Sequence, residues 1–415
     1  MLEVILSGRM LVALVMGFSC GLPLLLTITV LQAWMKEEGV DLTVIGMMAL
    51  VGLPYTLKFL WAPFLDRFTL PFLGRRRGWL LVAQVALIVS IAGLGSTDPG
   101  NSPWMVAFAA FLVTFFSASQ DIVVDAYRRE DLPDQELGLG SSLYVNGYRM
   151  GMLLASGGGL IMADSIPFSR VYLIMAACIL PGVLTTLLAP EPEITLGTPK
   201  TVKEAALDPL VEYFRRQGAV WMLAFILLYK IGDAMASAMT TPFYLDIGFS
   251  KTEIGTIVKL FGFWATIAGT LAGGVLMLRL GINRSLWVFG FFQAISTACF
   301  ALLARIGHSV AALSGVIAFE NLSSGMGTAA YMAFMASITN KRFTATQYAL
   351  LTSLMGVPRV LASAPTGFLA KNLGWASFFI ACTLIAIPGM LLLLKFAPWN
   401  SKDAAKAPWK TSAAG

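Results

Sequence analysis

Lys58, Asp121, Asp125, Arg149, Lys230, Asp233, Lys259, Glu320 and Arg359 are ionisable side chains set inside stretches that are otherwise apolar over about twenty residues or more. A charge at bilayer depth costs about 2.5–3.5 kcal/mol even on the lenient insertion scale, so such groups face one another, a bundle interior or an aqueous cavity. Five bases and four acids, divided four and five between the halves of the chain, describe a solute pathway with a mildly cationic lining.

Their spacing narrows the chemistry. Ser117, Asp121 and Asp125 stand four apart and share one helical face, followed by Arg128 and Arg129. Asp125 has two readings, a proton-handling acid or an ion pair with Arg129 or Arg67 in a latch on the inner side. Asp121, one turn deeper, is read as a proton-coupling or substrate-contacting acid, with a structural pair to Lys58 or Arg149 as the alternative. Lys230 and Asp233, three apart, either neutralise each other or act in transport. Glu320 precedes Asn321, Ser323 and Ser324, a polar cluster that is costly against lipid and sensible against water. The candidate proton-coupling acids are therefore Asp121, Glu320, Asp125 and Asp233. Arg149 and Arg359 have guanidinium groups that fork onto carboxylates, whether of a substrate or of an internal Asp. Burial raises the pKa of a coupling acid and a neighbouring Lys or Arg lowers it, so a substrate carboxylate that engages the cation frees the acid to take up a proton.

Trp61 and Trp264 each follow a lysine and either stack on a sugar ring or simply pack. Trp34, Trp79, Trp104 and Trp375 lie near span ends and read as interfacial anchors. His308 is the single histidine, and the four cysteines fall in apolar stretches without metal-ligand spacing. Nucleophile-and-base or metal chemistry therefore lacks its residues, and the reading is a protein that is not an enzyme, with no cofactor and no metal.

The elements that must hold these groups are membrane helices. The chain is 57% hydrophobic and 13% charged, with a mean hydropathy of +0.76, which fits a polytopic membrane protein. Spans are predicted at 10–35, 42–66, 78–96, 104–129, 138–163, 168–189, 219–247, 251–279, 285–305, 309–336, 345–370 and 374–397. The first is read as a retained helix, not a cleaved leader, being longer than a signal core and carrying Gly17, Gly21 and Pro23. With both termini cytoplasmic, nineteen Lys and Arg lie on the inner side and five on the outer, a strong positive-inside bias. The net charge of +6 then belongs to a face that meets anionic lipid, not nucleic acid.

The longest polar interruption divides the chain into an N-terminal bundle (1–190), a linker (191–218), a C-terminal bundle (219–399) and a cytoplasmic tail (400–415). In the linker Val202, Ala206, Leu210 and Phe214 recur every four residues, which describes either a short interfacial helix bent at Pro209 or a plain connection. The halves repeat. Asp66-Arg67 with Gly74-Arg75-Arg76-Arg77 after the second span is matched by Arg279-Leu280-Gly281 and Arg284 after the eighth, each a version of the short basic loop typical of the major facilitator superfamily. Arg149 and Arg359 are offset by 210 residues, as a duplicated six-helix unit predicts. The fold class is an all-α membrane protein of twelve transmembrane helices in two pseudo-symmetric six-helix bundles, rocking in alternating access around a midplane site.

Several runs together resemble the AmpG muropeptide permease family. They include Leu31-Gln32-Ala33-Trp34, Lys58-Phe59-Leu60-Trp61-Ala62-Pro63, Ser117-Ala118-Ser119-Gln120-Asp121-Ile122-Val123-Val124-Asp125-Ala126, Lys230-Ile231-Gly232-Asp233-Ala234, Phe319-Glu320-Asn321-Leu322 and Thr344-Ala345-Thr346-Gln347. The resemblance covers about residues 10 to 397. It implies a multi-pass protein of the bacterial inner membrane that imports N-acetylglucosaminyl-1,6-anhydro-N-acetylmuramyl peptides with protons for cell-wall recycling, feeding the signal for β-lactamase induction. The implied partners are anhydromuropeptides, protons and membrane lipid, with the protein working as a monomer. Substrate contacts would come from Arg149, Lys58, Lys230, Lys259 and Arg359, from Gln120, Asn321, Gln32 and Asn146 at hydroxyl and acetamido groups, and from Trp61 and Trp264. Asp66, Arg67, Arg75, Arg76, Arg77 and Arg129 would form a cytoplasmic gate.

Overall fold

A computed structural model of the chain describes residues 7–192, 201–216, 218–362 and 365–399. The described residues are helical throughout, with no strand among them. The first helix, α1 (Gly8–Glu37), contains Pro23, which lacks an N–H, and relaxes into a π-helical turn at Leu26–Val30. Thr27 Oγ1 gives a hydrogen bond of 3.1 Å to the Leu24 carbonyl inside that turn.

A broken rod, α2, follows, made of Leu42–Met47, Met48–Gly52, Leu53–Leu57, Lys58–Leu60 and Ala62–Arg67. Pro54 and Pro63 open two of its pieces, where a missing N–H costs nothing. Next come α3 (Arg75–Gly95) and α4 (Pro103–Asp131). The rod α5 runs through Leu137–Leu153, Leu154–Gly158 and Gly159–Ala163. Phe168–Ala177 and Leu180–Leu188, the second opened by Pro181, make α6. Helix α7 is Val202–Arg215, and α8 joins Ala219–Leu228 to Ile231–Asp246 across a break at Lys230.

The long run Ile254–Ile306 divides at Gly281 (φ 76°, ψ 165°), a backbone conformation reserved for glycine, into α9 (254–280) and α10 (282–306). The sequence predicts a loop of several residues here, and the structure turns the chain within one residue. Ser250 and Glu253 cap the start of α9 reciprocally. Hydrogen bonds from the Ser250 backbone and hydroxyl hold the Glu253 carboxyl below the usual carboxylate range. The chain ends in α11 (Val310–Ile338), α12 (Thr344–Leu361, continued by Thr366–Leu373) and α13 (Trp375–Phe396).

Among the described residues seven helices are long and apolar enough to cross a membrane by length and composition, one of them being the run bent at Gly281. The predicted spans at 42–66, 138–163 and 345–370 correspond to interrupted helices instead of single rods.

The chain forms two compact units. One comprises the described parts of Met1–Pro133, Leu143–Pro209 and Thr339–Ser353, and the other the described parts of Asp134–Ser142, Leu210–Ile338 and Leu354–Gly415. The first unit has an apolar core in which Leu22, Leu26, Trp34, Leu87, Ile91, Val171 and Tyr172 meet. Trp34, expected as an interfacial anchor, is only 6% exposed and stacks on Phe168 at 5.7 Å, because α6 covers its ring. In the second unit Phe243, Phe300, Phe378 and Phe379 pack ring on ring.

Helices α1 and α5 interlock through small residues. A Cβ at Gly17 or Gly21 would strike the Tyr144 or Tyr148 carbonyl, and one at Gly147 or Gly151 the Leu14 or Phe18 carbonyl. In α7 the buried positions are Ala205, Pro209 and Tyr213. Leu210 and Phe214 of the four-residue stripe are 36% and 56% exposed, so its C-terminal half faces outward.

Candidate functional site

In the first unit, α4 carries Ser117, Asp121, Asp125 and Arg128 down one face, as their spacing requires. Asp125 accepts from Arg128 Nη2 at 3.1 Å and pairs with Lys58 Nζ at 3.8 Å, all three buried. Its partners are thus the residue three positions on and the lysine from α2, which corrects the expected pairing with Arg129 or Arg67. Arg128 also donates to the Tyr348 hydroxyl at 2.9 Å and lies 4.2 Å from the Tyr144 ring centre. Asp121 is buried one turn up, and its Oδ1 has no hydrogen-bond partner. Tyr55, Tyr148 and Cys20 lie within electrostatic range of it. Arg149, on α5, is half-buried.

Neighbouring polar residues tie this face together. Tyr55 donates to Ser117 at 2.9 Å and Trp61 Nε1 to Ser119 at 3.0 Å, while the Trp61 ring packs on Phe115. Gln120 is fully buried and donates to Ser19 and Cys20 on α1, which makes it an interhelical tie in this conformation. Asn146 is buried on α5 and Gln32 half-buried on α1.

The gate residues form a second assembly in the same unit. Asp66 is 0% exposed and receives Arg75 Nη2 at 3.0 Å, Arg76 Nη2 at 2.8 Å, the Thr346 amide at 2.8 Å and the Thr346 hydroxyl at 2.7 Å. With a further bond from the Ala345 amide, its carboxylate caps the positive N-terminus of α12. Arg76 forks onto Glu130 with bonds of 3.1, 2.9 and 2.6 Å, and Arg75 reaches the Arg342 carbonyl at 3.3 Å. Glu191 caps the start of α3, accepting from the Arg76 and Arg77 amides at 2.7 and 3.0 Å.

Not every expected member joins this cluster. The Arg77 side chain donates instead to the Thr186 and Leu187 carbonyls at the end of α6, where a cation suits the helix terminus. Arg67 is half-buried with its guanidinium 5.4 Å from the Phe68 ring, and Arg129 is buried on α4. Glu130 and Glu191 escaped the sequence reading, although Glu130 follows directly on Arg128-Arg129, and Thr346 entered it only as part of the run Thr344–Gln347, with no role.

In the second unit Lys230 and Asp233 do meet, at 3.3 Å, and Lys230 also donates to Thr328 on α11 at 3.2 Å. Glu320 Oε2 accepts a short 2.5 Å hydrogen bond from Ser296 on α10 and lies beside the Asp233 carboxyl. Asn321 is engaged with Thr266 at 2.7 Å and the Ile317 carbonyl at 2.9 Å, so it joins α9 to α11. Lys259 is exposed on a π-helical turn, Ile254–Phe261, and Trp264 is 59% exposed. The side chain of Arg359 lies outside the described residues, although its backbone belongs to α12.

The site's charged residues are therefore held in buried ion pairs and hydrogen bonds within each unit. The Major Facilitator Superfamily profile matches residues 10–363 and 234–413. The Anhydromuropeptide permease of Escherichia coli (strain K12) is 44% identical over 396 residues, covering 95% of this chain and 80% of that one. Putative transporter AmpG 4 of Rickettsia felis is 31% identical over 395 residues, covering 92% and 94%. The solved structure of the proton:xylose symporter XylE bound to 6-bromo-6-deoxy-D-glucose matches 94% of this chain and 95% of its own with a TM-score of 0.69 at 12% identity. The human organic anion transporter MFSD10 matches 93% and 98% with 0.65 at 14%, and these two likenesses show the fold. The chain is an integral membrane protein that belongs to the major facilitator superfamily and, within it, to the AmpG anhydromuropeptide permease family.

Proposed function

We propose that this protein imports N-acetylglucosaminyl-1,6-anhydro-N-acetylmuramyl peptides across the bacterial inner membrane, driven by protons and working by alternating access. The observation that carries the proposal is the 44% identity to the Escherichia coli anhydromuropeptide permease over 95% of this chain. The aligned length includes the charged face of α4, the basic loop before α3 and the Lys230–Asp233 pair. The residues also suit the cargo. Anhydromuropeptides carry free carboxylates, and the first unit offers them Lys58, Arg128 and Arg149 on the same helices, α2, α4 and α5, that form its charged face.

In this reading the protein is a monomer of twelve spans with both termini cytoplasmic, in bundles at 1–190 and 219–399, and its product feeds the signal for β-lactamase induction. The charge bias of the loops supports the orientation. Arg149, Lys58, Lys230, Lys259 and Arg359 are the proposed anion contacts. Asp66, Arg75 and Arg76, with Glu130 and Thr346, are proposed to latch the cytoplasmic side, since an unpaired member of so buried a cluster is costly. Helix α7 is proposed to lie at the membrane interface with Leu210 and Phe214 toward lipid.

The test is uptake of labelled anhydromuropeptide into proteoliposomes under an inward proton gradient. Concentrative uptake that an uncoupler abolishes is expected. Folded protein that neither takes up nor exchanges the compound would leave a facilitator for another anionic or amphiphilic solute.

A further inference from the structure

The two units differ in how their buried charges balance. In the first, Lys58 and Arg128 match Asp121 and Asp125 one for one, and Arg128 and Lys58 both converge on Asp125. That set is neutral with every group ionised. In the second, Asp233 and Glu320 share a single base, Lys230, among the described side chains. This set is neutral only when one carboxyl holds a proton.

The geometry agrees. Two neighbouring buried carboxyls favour sharing a proton, because two ionised ones side by side repel. Lys230 reaches Asp233 at 3.3 Å, while Glu320 is held by the Ser296 hydroxyl at 2.5 Å. Helices α8, α10 and α11 thus each contribute one wall. Among the described residues, the other titratable groups facing the pair are Tyr229 and Tyr244 on α8 and Cys299 on α10, all uncharged at neutral pH, and α13 brings Cys382 against Gly232 beside it.

A second feature points into the same place. Gln293, on α10, is 5% exposed and its Nε2 has no hydrogen-bond partner. It lines a small cavity with Tyr229, Asp233 and Thr297, and its Oε1 and Lys230 Nζ approach the same face of Gly327. A carboxylate formed at Asp233 by loss of the proton would find a donor there. We propose that the transported proton is held by the Asp233–Glu320 carboxyl pair, with Lys230 as its counter-charge and Gln293 positioned to receive the deprotonated form, and that Asp121 carries none.

The inference rests on the proton-driven reading above. When the pair releases its proton to water, two carboxylates remain beside one ammonium, and the uncompensated charge makes that state short-lived until reloading.

The experiment uses the full chain in proteoliposomes and compares gradient-driven accumulation of labelled anhydromuropeptide with its counterflow at equal pH. For Glu320→Gln and Asp233→Asn the ratio of accumulation to counterflow is expected to fall at least tenfold, and for Asp121→Asn to stay within twofold of the wild type. An infrared titration of the purified protein supplies a readout independent of transport. The carboxylic-acid C=O stretch of the wild type is expected to be lost in either pair variant and kept in Asp121→Asn. The two pair variants act from different helices, so misfolding of one leaves the other to decide. Wild-type ratios in the pair variants, or loss of ratio and band in Asp121→Asn, overturn the assignment while proton-driven transport stands. A wild type that exchanges muropeptide but ignores the gradient removes the proton-driven reading and the assignment together.

Discussion

Arg76 joins Asp66 to Glu130 through five hydrogen bonds, counting one to the Leu65 carbonyl, with almost no exposed surface. Arg76→Ala leaves two buried carboxylates with Arg75 as their one shared arginine, and breaking a buried pair costs about 3–5 kcal/mol. A matching fall in thermal stability of the detergent-purified protein is expected, and Arg76→Lys rescues little because an ammonium cannot fork onto both acids. Arg67→Ala, whose side chain is half-buried against Phe68, serves as the contrast and is expected to change stability by less than about 0.5 kcal/mol. A melting temperature for Arg76→Ala equal to that of Arg67→Ala contradicts this account. The sequence already grouped Asp66, Arg75 and Arg76 because they are neighbours along the chain. Thr346 lies 280 positions away, and nothing in a single sequence says which helix terminus comes back to meet an aspartate. The same limit explains Asp125. Its acidity and depth were legible from spacing, but the choice of Arg128 and Lys58 over Arg129 depends on how α2 and α12 pack around α4.

At the level of the helices, apolar length located the rods and Pro or Gly located their breaks, as at Pro23, Pro54, Pro63 and Gly281. The stretches that failed to appear as single rods are those where such breaks accumulate, since each lost N–H is met by a local 3₁₀ or π adjustment. The glycine seam of α1 and α5 follows a small-residue spacing of four, Gly17 with Gly21 and Gly147 with Gly151. Gly147→Val drives a branched side chain into the Leu14 carbonyl, a backbone atom that cannot swing away, and is expected to lose most folded protein in size-exclusion yield. Gly255→Ala, where an added Cβ meets open space, is expected to retain it. Helix α7 poses a different question, because the C-terminal half of its apolar stripe faces outward. Phe214→Trp placed at the lipid interface is expected to emit at shorter wavelength than a free indole and to be quenched by lipids brominated near the headgroup. Emission like that of tryptophan in water would assign α7 to a solvated linker.

Across the whole molecule the two units divide the electrostatics: in the first Lys58 and Arg128 balance Asp121 and Asp125, with half-buried Arg149 as a further base, and in the second Asp233 and Glu320 outnumber Lys230. A solute that engages the first unit through its carboxylates should therefore lose binding when those carboxylates are neutralised, while the proton site is untouched. Amidation of the peptide carboxylates of an anhydromuropeptide is expected to raise the transport KM at least tenfold, about 1.4 kcal/mol per lost ion pair, with the response to the proton gradient preserved. External pH separates the same two contributions. Acidification loads the proton site and speeds uptake, whereas below about pH 4 the solute's own α-carboxyl groups, with ordinary pKa values near 3.3–3.7, become neutral and uptake falls. The amidated analogue lacks the second effect, so its rate is expected to keep rising where that of the native solute declines. Identical pH profiles for the two compounds would mean that solute carboxylates take no part in recognition, and the cationic lining would then serve only to neutralise Asp121 and Asp125.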